Sequence, residues 1–122
     1  MQNPTILIVE DEPELLDMYQ AKFAAAGYSV FTAHNGEIGL IMAKNQKPDL
    51  IILDILMPEV DGYQMLEKLK SSKETARIPV VIFSNLSQKK EIEKGFRLGA
   101  KDFIVKSEVT PKELLEKIKK YL

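Results

Sequence analysis

The sequence predicts an α/β protein in which one parallel sheet is covered by helices on both faces. Three apolar runs, at residues 6–9, 50–53 and 79–83, have the length of strands that are buried on both sides. Two weaker runs lie at 29–33 and 103–105. The stretches between these runs carry apolar residues at helical spacing, so strands and helices alternate along the chain. Such alternation is typical of right-handed crossovers, which place helices on both faces of a sheet.

The first half of the chain supplies two helices between its three strands. Pro13 suits the first turn of a helix after strand 1, and Gly27 can end that helix before strand 2. Asn35 is predicted to cap the second helix with its side chain. The Lys-Pro-Asp turn at 47–49 then leads into strand 3.

The second half of the chain supplies three helices. Gly62 precedes the third helix, while Ser87 is predicted to cap the fourth helix and Gly99 to end it. Thr110 and Pro111 open the last helix as a cap followed by a first-turn proline. Four apolar residues of this last helix are expected to be buried: Leu114, Leu115, Ile118 and Leu122.

The five βα units amount to a doubly wound, three-layer (βα)5 sandwich of the flavodoxin-like kind. The strand order expected at this size is 2-1-3-4-5, whose switch point lies between strands 1 and 3. Ligand sites in such sheets lie at the carboxyl edge beside the switch point. We expect residues 1–122 to form one domain, with no second domain in the sequence.

Composition excludes several classes of protein. The chain has no cysteine, so disulfide frameworks and thiolate metal sites are excluded. No apolar stretch approaches the roughly 20 residues that span a bilayer, and the first residues do not resemble a signal peptide. We therefore expect a cytoplasmic protein without membrane contact.

Charge is distributed unevenly along the chain. Residues 1–61 carry a balance of −7, whereas residues 62–122 carry a balance of +6. The basic half could favour an acidic partner surface or nucleic acid, but solvated helix faces are the simpler explanation. No nucleic-acid motif is present, so direct nucleic-acid binding is not expected.

Polar residues follow four of the predicted strands. Glu10 and Asp11 follow strand 1, and Asp54 follows strand 3. Ser84 follows strand 4, and Lys106 follows strand 5. Because the strands of a parallel sheet point the same way, these ends meet at one edge. The sequence therefore predicts a site of three carboxylates, one hydroxyl and one ammonium.

Repulsion among the three carboxylates favours either the protonation of some of them or a bound cation. Two carboxylates about 5 Å apart repel by roughly 3 kcal/mol at an effective dielectric constant of 20. Oxygen ligands without cysteine favour Mg²⁺, and the single histidine, His34, is expected on the surface at the edge strand. Beside such a cation Asp54 is suited to attack phosphorus. Lys106 would neutralise the phosphoryl oxygens and Ser84 would donate a hydrogen bond to one of them.

At these residues the chain resembles a receiver domain of the two-component response regulators, over nearly all of residues 4–122. The segments that carry the resemblance are ILIVEDE at 6–12, DILMP at 54–58, Asp61-Gly62, Ser84, GAKDF at 99–103 and Lys106. Each segment alone would be weak, but together they are highly specific.

The resemblance implies that Asp54 accepts a phosphoryl group from a histidine kinase or a histidine phosphotransfer protein. It assigns Asp11, Asp54 and the backbone carbonyl of Leu56 to Mg²⁺, with Glu10 acting through water. Such a domain is not a conventional enzyme, although it catalyses its own phosphorylation and slow dephosphorylation.

The resemblance also makes Ser84 and Phe103 a switch pair. Their movement on phosphorylation would change the surface formed by the fourth helix, the fifth strand and the fifth helix. The implied partners are a downstream protein or an output domain absent from this sequence. A homodimer formed on phosphorylation is a further alternative.

Three positions depart from the commonest family pattern. Ser107 stands where a cis proline usually follows the lysine, and we expect a trans bond there because a cis bond before serine would cost about 3–4 kcal/mol. Asn85 stands where a small residue is common and is expected to slow small phosphodonors. Phe103 lacks the hydroxyl of the frequent tyrosine, so its inward state would depend on packing.

Other functions with this architecture need residues that the chain lacks. A Mg²⁺ phosphohydrolase needs a second aspartate two residues after the nucleophile, where Leu56 stands. Leu56 and Leu86 also offer no group to orient water, which predicts a long-lived phosphoryl state. A flavin-binding domain needs a phosphate loop where residues 10–13 are mainly acidic. A degenerate receiver that serves only for docking stays an alternative, although the complete acceptor, metal and lysine set argues against it.

Overall fold

The computed structural model describes residues 3–57 and 60–122 and confirms the predicted order of elements. Pro58, part of the motif after Asp54, lies outside the described residues. The strands are β1 (Thr5–Val9), β2 (Ser29–Ala33), β3 (Leu50–Leu53), β4 (Val80–Ser84) and β5 (Asp102–Val105). The helices are α1 (Pro13–Ala25), α2 (Gly36–Gln46), α3 (Gly62–Ser71), α4 (Lys89–Arg97) and α5 (Pro111–Ile118). Short 3₁₀ turns, Lys106–Glu108 and Lys119–Tyr121, follow β5 and α5.

The five strands form one parallel sheet in the order β2-β1-β3-β4-β5, as predicted. The register aligns the ends of the inner strands, because Val9 pairs with Leu53 and Ser84 pairs with Val105. The residues that follow these strands therefore leave the sheet at one edge, on either side of the switch point between β1 and β3.

Each face of the sheet buries its own apolar core, because successive side chains of a strand point to opposite faces. One core lies under α1 and α5 and includes Ile6, Ile8, Phe23, Leu114 and Ile118. The other lies under α2 and α3 and includes Leu7, Ile51, Leu53, Leu66 and Leu69. Full burial of such a side chain contributes about 1.5–3 kcal/mol, so the two cores fix the sheet that carries the strand ends.

Side-chain caps set the starts of three helices. Asn35 caps α2, as predicted, by accepting a hydrogen bond of 2.8 Å from the backbone N–H of Ile38. Asp61 and Thr110 form capping boxes at the starts of α3 and α5. The predicted cap at Ser87 is wrong, since α4 begins one residue later, after Gln88, without a side-chain cap.

The end of the chain also differs from the prediction. Leu114 and Ile118 are buried, but Leu122 is 42% exposed. Helix α5 ends at Ile118 and a 3₁₀ turn follows, so the spacing of 3.6 residues no longer brings position 122 back to the core.

Among the described residues, no helix combines the length and the apolar character needed to cross a membrane.

Candidate functional site

The sheet ladder continues one residue beyond β1 and β3 into the acidic site. The backbone N–H of Glu10 donates to the carbonyl of Ala33, and that of Asp54 donates to the carbonyl of Val9, each at 3.0 Å. These bonds fix the Cα positions of the two acids relative to the sheet. Their placement therefore depends on strand pairing and does not depend on the flexible part of a loop.

Three carboxylates meet at this edge, as the sequence predicted. Glu10, Asp11 and Asp54 each offer one oxygen, and these oxygens lie within 4.8 Å of one another. Glu10 is 3% exposed and Asp54 is 5% exposed, while Asp11 is half-buried. Carboxylates this close and this shielded from water repel strongly unless a cation lies near them.

Lys106 supplies one such cation from the end of β5. Its Nζ donates to Oδ2 of Asp54 at 3.1 Å and also to Oε1 of Glu10. Burial by itself would lower the pKa of Lys106, but the two carboxylates outweigh burial and raise that pKa above its ordinary value. The ammonium therefore stays protonated between the two buried acids.

The pKa of Glu10 shows that burial and repulsion from Asp54 outweigh the hydrogen bond from Lys106. Burial raises this pKa, the hydrogen bond from Lys106 lowers it in part, and repulsion from Asp54 raises it further, so the net shift is upward. A cluster of hard oxygen donors in this condition fits a metal ion, whose charge would relieve the repulsion. The acidic group can therefore hold a metal ion.

Ser84 and the loop after Asp54 add hydrogen-bond donors to the site. Ser84 is fully buried at the end of β4, and its Oγ accepts a long hydrogen bond of 3.4 Å from the backbone N–H of Leu86. Since that oxygen acts here as an acceptor, its O–H remains able to donate. The N–H of Leu56 donates to Oδ1 of Asp54 at 3.2 Å, while the Leu56 side chain is 54% exposed.

Phe103 and His34 take different places relative to this cluster. Phe103 lies on β5, next to the strand that ends in Ser84, and is partly buried beneath α4. Its ring approaches Gly95 so closely that a Cβ added there would lie 3.1 Å from Cδ2 of the ring. His34 is exposed just after β2, as predicted, and the acidic group consists of Glu10, Asp11 and Asp54.

A hydrogen bond that the sequence reasoning missed joins Asn85 and Ser107. Oδ1 of Asn85 accepts from the backbone N–H of Ser107 at 3.0 Å. The signal was present in the sequence, because serine keeps the N–H that a proline at this position would lack. No cis peptide bond occurs among the described residues, so the bond before Ser107 is trans, as expected.

The parallel sheet in the order 2-1-3-4-5, with acidic residues and a lysine at its carboxyl edge, is the architecture of a receiver domain. Comparison with known sequences identifies the family. The response regulator receiver domain matches residues 6–119 of this chain. The chain belongs to this family, the receiver domains of two-component response regulators. Phosphoacceptor signalling is consistent with that membership.

Three relatives illustrate the range of proteins that resemble the chain. The probable transcriptional regulator ycf27 of Porphyridium aerugineum is 34% identical over 122 residues, which are 100% of this chain and 49% of that protein. The DNA-binding dual master transcriptional regulator RpaA of Synechocystis is 38% identical over 103 residues, 84% of this chain and 43% of that protein. Protein PilH of Pseudomonas aeruginosa is 37% identical over 101 residues, 83% of this chain and 84% of that protein. The chain thus spans about half the length of the two transcriptional regulators.

Solved structures support the same assignment. The chemotaxis protein CheY4 of Vibrio cholerae superposes with a TM-score of 0.92 at 25% identity, covering 98% of this chain and 99% of that one. The BeF3-activated receiver domain of Klebsiella pneumoniae RstA gives a TM-score of 0.88 at 26% identity, covering 96% of this chain and 97% of that one.

Proposed function

We propose that this chain is a phosphoacceptor that stores a signal as a phosphoryl group on Asp54. The observation that carries the proposal is the ammonium of Lys106, which bonds to Asp54 and Glu10 at the carboxyl edge of the sheet. Because the Lys106 ammonium already bonds to Asp54, it can bond to a phosphoryl oxygen once a phosphoryl group is attached there. The buried hydroxyl of Ser84, at the end of the neighbouring strand, supports the same chemistry.

The proposed step is an in-line transfer from phosphohistidine. An oxygen of Asp54 forms a bond to phosphorus while the bond from phosphorus to the imidazole nitrogen breaks, and the released imidazole takes up a proton from water. Little covalent work falls to the protein in such a transfer, so positioning and charge stabilisation dominate. Lys106 would neutralise one phosphoryl oxygen, while the Ser84 hydroxyl and a backbone N–H of the loop after Asp54 would donate to the others.

The cation proposed for the acidic group is Mg²⁺. Asp11, Asp54 and the backbone carbonyl of Leu56 would bind it directly, and Glu10 would act through a water molecule. The spacing of the three carboxylates and their hard oxygen donors support this choice. When bound, the ion would lower the repulsion between the carboxylates and the incoming phosphoryl group.

The proposed output is a change at the surface of α4, β5 and α5. Ser84 and Phe103 would move as a pair, with the hydroxyl turning toward the phosphoryl group and the ring turning inward. The binding partner of that surface would be a downstream protein, an output domain beyond residues 1–122, or a second copy of the chain. The phosphoryl donor would be a histidine kinase or a histidine phosphotransfer protein in the cytoplasm.

Intact-mass measurement after incubation with acetyl phosphate and Mg²⁺ tests the acceptor. The wild-type protein is expected to gain one phosphoryl group, and Asp54→Asn is expected to gain none. Asp49→Asn is the matched control, because Asp49 lies at the opposite edge of the sheet and is exposed. It should gain the group as the wild type does.

Two outcomes would contradict the proposal. One is equal gain in Asp54→Asn. The other is no gain by the wild-type protein with either acetyl phosphate or a phosphohistidine protein, the second donor being needed because Asn85 is expected to slow small donors. Removal of Mg²⁺ with a chelator, or the change Asp11→Asn, should slow the gain at least tenfold if the acidic group holds the ion.

The lifetime of the phosphoryl group gives a separate test of the site's surroundings. Leu56 and Leu86 line a surface groove at the loop that follows Asp54, together with Ile55, Met57, Asp61 and Tyr63. Neither leucine offers a polar group to orient an attacking water molecule, so dephosphorylation should be slow. Loss of the label within seconds in Mg²⁺ buffer would rule out this prediction.

A further inference from the structure

Asn85 and Ser107 occupy equivalent places beside the proposed site. Asn85 directly follows Ser84 at the end of β4, and Ser107 directly follows Lys106 after β5. Both side chains are exposed, so core packing explains neither residue. The hydrogen bond from the Ser107 N–H to the Asn85 side chain, at 3.0 Å, is what connects them.

This hydrogen bond lies where the pairing of β4 and β5 stops. The last pair in the register is Ser84 with Val105, after which a loop starts at Asn85 and a 3₁₀ turn starts at Lys106. The side-chain oxygen of Asn85 accepts at this point in place of a main-chain carbonyl. It therefore joins the two loops at the residues that follow the Ser84 hydroxyl and the Lys106 ammonium.

The bond requires an acceptor side chain at position 85 and a residue other than proline at position 107. The donor is a main-chain N–H, which proline lacks, so position 107 cannot be proline. Because the donor is an N–H, the acceptor must be the amide oxygen, and this fixes the orientation of the Asn85 side chain. An alanine or glycine at position 85 would have no acceptor to offer, so the two departures from the family pattern depend on each other.

We propose that Asn85 and Ser107 are positioning residues that set the separation between the Ser84 hydroxyl and the Lys106 ammonium. This inference rests on the proposed function, in which these two groups receive oxygens of one phosphoryl group. Displacement of such a group by about 1 Å can slow a transfer by up to roughly a hundredfold, so a bond that fixes both loops bears directly on the rate.

A double-mutant cycle on the phosphorylation rate tests this pair. The rate with acetyl phosphate and Mg²⁺ is measured, over a range of donor concentrations, for the wild type, Asn85→Ala, Ser107→Pro and the double variant. The cost of Ser107→Pro in the maximal rate should be about fivefold smaller when Asn85→Ala is already present, as expected for one hydrogen bond of ordinary net strength. The donor concentration for half-maximal rate should show little coupling.

The cycle separates the bond from two other effects of these changes. Asn85→Ala also opens the site to small donors, and Ser107→Pro also restricts the backbone of Lys106, but each effect is the same in both backgrounds. Ser107→Ala keeps the main-chain N–H and should therefore keep the coupling to Asn85. An equal cost of Ser107→Pro in both backgrounds would overturn the proposal.

Hydrogen exchange provides a readout that does not need phosphorylation. The Ser107 amide should exchange about fivefold or more slowly in the wild type than in Asn85→Ala, because only the wild type has the acceptor. Equal exchange would show that the bond is absent in solution and would overturn the proposal while leaving the proposed function standing. If the bond is present but the wild type accepts no phosphoryl group, the proposed function fails and the positioning role fails with it.

Discussion

Helices α3 and α4 lie on the same side of the sheet, but they are held to it very differently. Helix α3 follows the loop after Asp54 and buries five of its residues: Gly62, Tyr63, Met65, Leu66 and Leu69. Helix α4 follows the loop after Ser84 and buries Gly95. The helix next to the proposed acceptor is therefore anchored by apolar burial, whereas its neighbour has little apolar area to lose if it moves.

Polar contacts compensate for the small buried area of α4. The Tyr63 hydroxyl oxygen lies 2.8 Å from the carbonyl oxygen of Glu91 and 2.9 Å from its Oε2, so its one proton is shared between the two acceptors. The ammonium of Lys94 lies 4.4 Å from the centre of the Tyr63 ring. A partly buried hydrogen bond contributes only about 1 kcal/mol, less than the apolar burial that anchors α3, so α4 is the more suitable element to shift when the charge at the site changes. The anchored helix would keep the acids in place during that shift.

Truncating one apolar side chain on each helix should give the largest difference between α3 and α4 in the free energy of unfolding that is lost. Leu66 is fully buried on α3, so Leu66→Ala should lower the free energy of unfolding by about 3 kcal/mol. Ile92 is only half-buried on α4, so Ile92→Ala should cost about 1 kcal/mol. Urea denaturation monitored by circular dichroism measures the loss of unfolding free energy in both variants. Equal costs would show that α4 is anchored as firmly as α3.

The substitutions Gly62→Ala and Gly95→Ala test how rigid the atoms beneath α3 and α4 are, because both glycines pack closely against their neighbours. A Cβ on Gly62 would overlap the carbonyl oxygen of Asp54 and lie 2.5 Å from Cα of Ile55, which are main-chain atoms. A Cβ on Gly95 would meet the end of the Ile82 side chain at 2.6 Å. A side-chain end can turn away and main chain cannot. Gly62→Ala should therefore cost about 2 kcal/mol.

Gly95→Ala is expected to be nearly neutral in stability, because the helix propensity gained, about 1 kcal/mol, offsets the repacking of Ile82 and of the Phe103 ring. Gly62→Ala should also displace Asp54 and slow phosphorylation, while Gly95→Ala should not slow it. The same urea titration measures the loss of stability in both variants. A larger loss in Gly95→Ala than in Gly62→Ala would contradict the conclusion that the atoms beneath α3 are the more rigid ones.

Much of this arrangement could be predicted from the sequence, for a physical reason. Apolar runs identify buried strands, and parallel strands necessarily bring their carboxyl ends together, so the meeting of Glu10, Asp54 and Lys106 follows from topology alone. The Asn85–Ser107 bond depends on loop conformation, which no periodicity records. The cap predicted at Ser87 was wrong for the same reason, since the loop after β4 decides where α4 begins.

Removal of the Tyr63 hydroxyl tests the contact between the two helices. Tyr63→Phe keeps the buried ring but loses the donor to Glu91, so the free energy of unfolding should fall by about 1 kcal/mol. Hydrogen exchange should become faster in α4 and remain unchanged in α3, because α3 keeps its apolar anchor. Faster exchange in both helices to the same extent would show that they move as one unit.

The same hydroxyl makes the contact sensitive to alkaline pH. Burial raises the pKa of Tyr63 above its ordinary value of 10.0, and the bond to Glu91 raises it further. Between the ordinary value and the raised one, the unfolded chain has lost this proton while the folded protein keeps it, so stability falls as pH rises above 10.0.

The variant Tyr63→Phe lacks this hydroxyl proton, and the other tyrosines are common to both proteins. The difference in unfolding free energy between wild type and Tyr63→Phe should therefore be constant below pH 10.0 and shrink above it, as measured by urea titrations across that range. A difference that stays constant above that pH would mean that the hydroxyl is not held between α3 and α4 in solution.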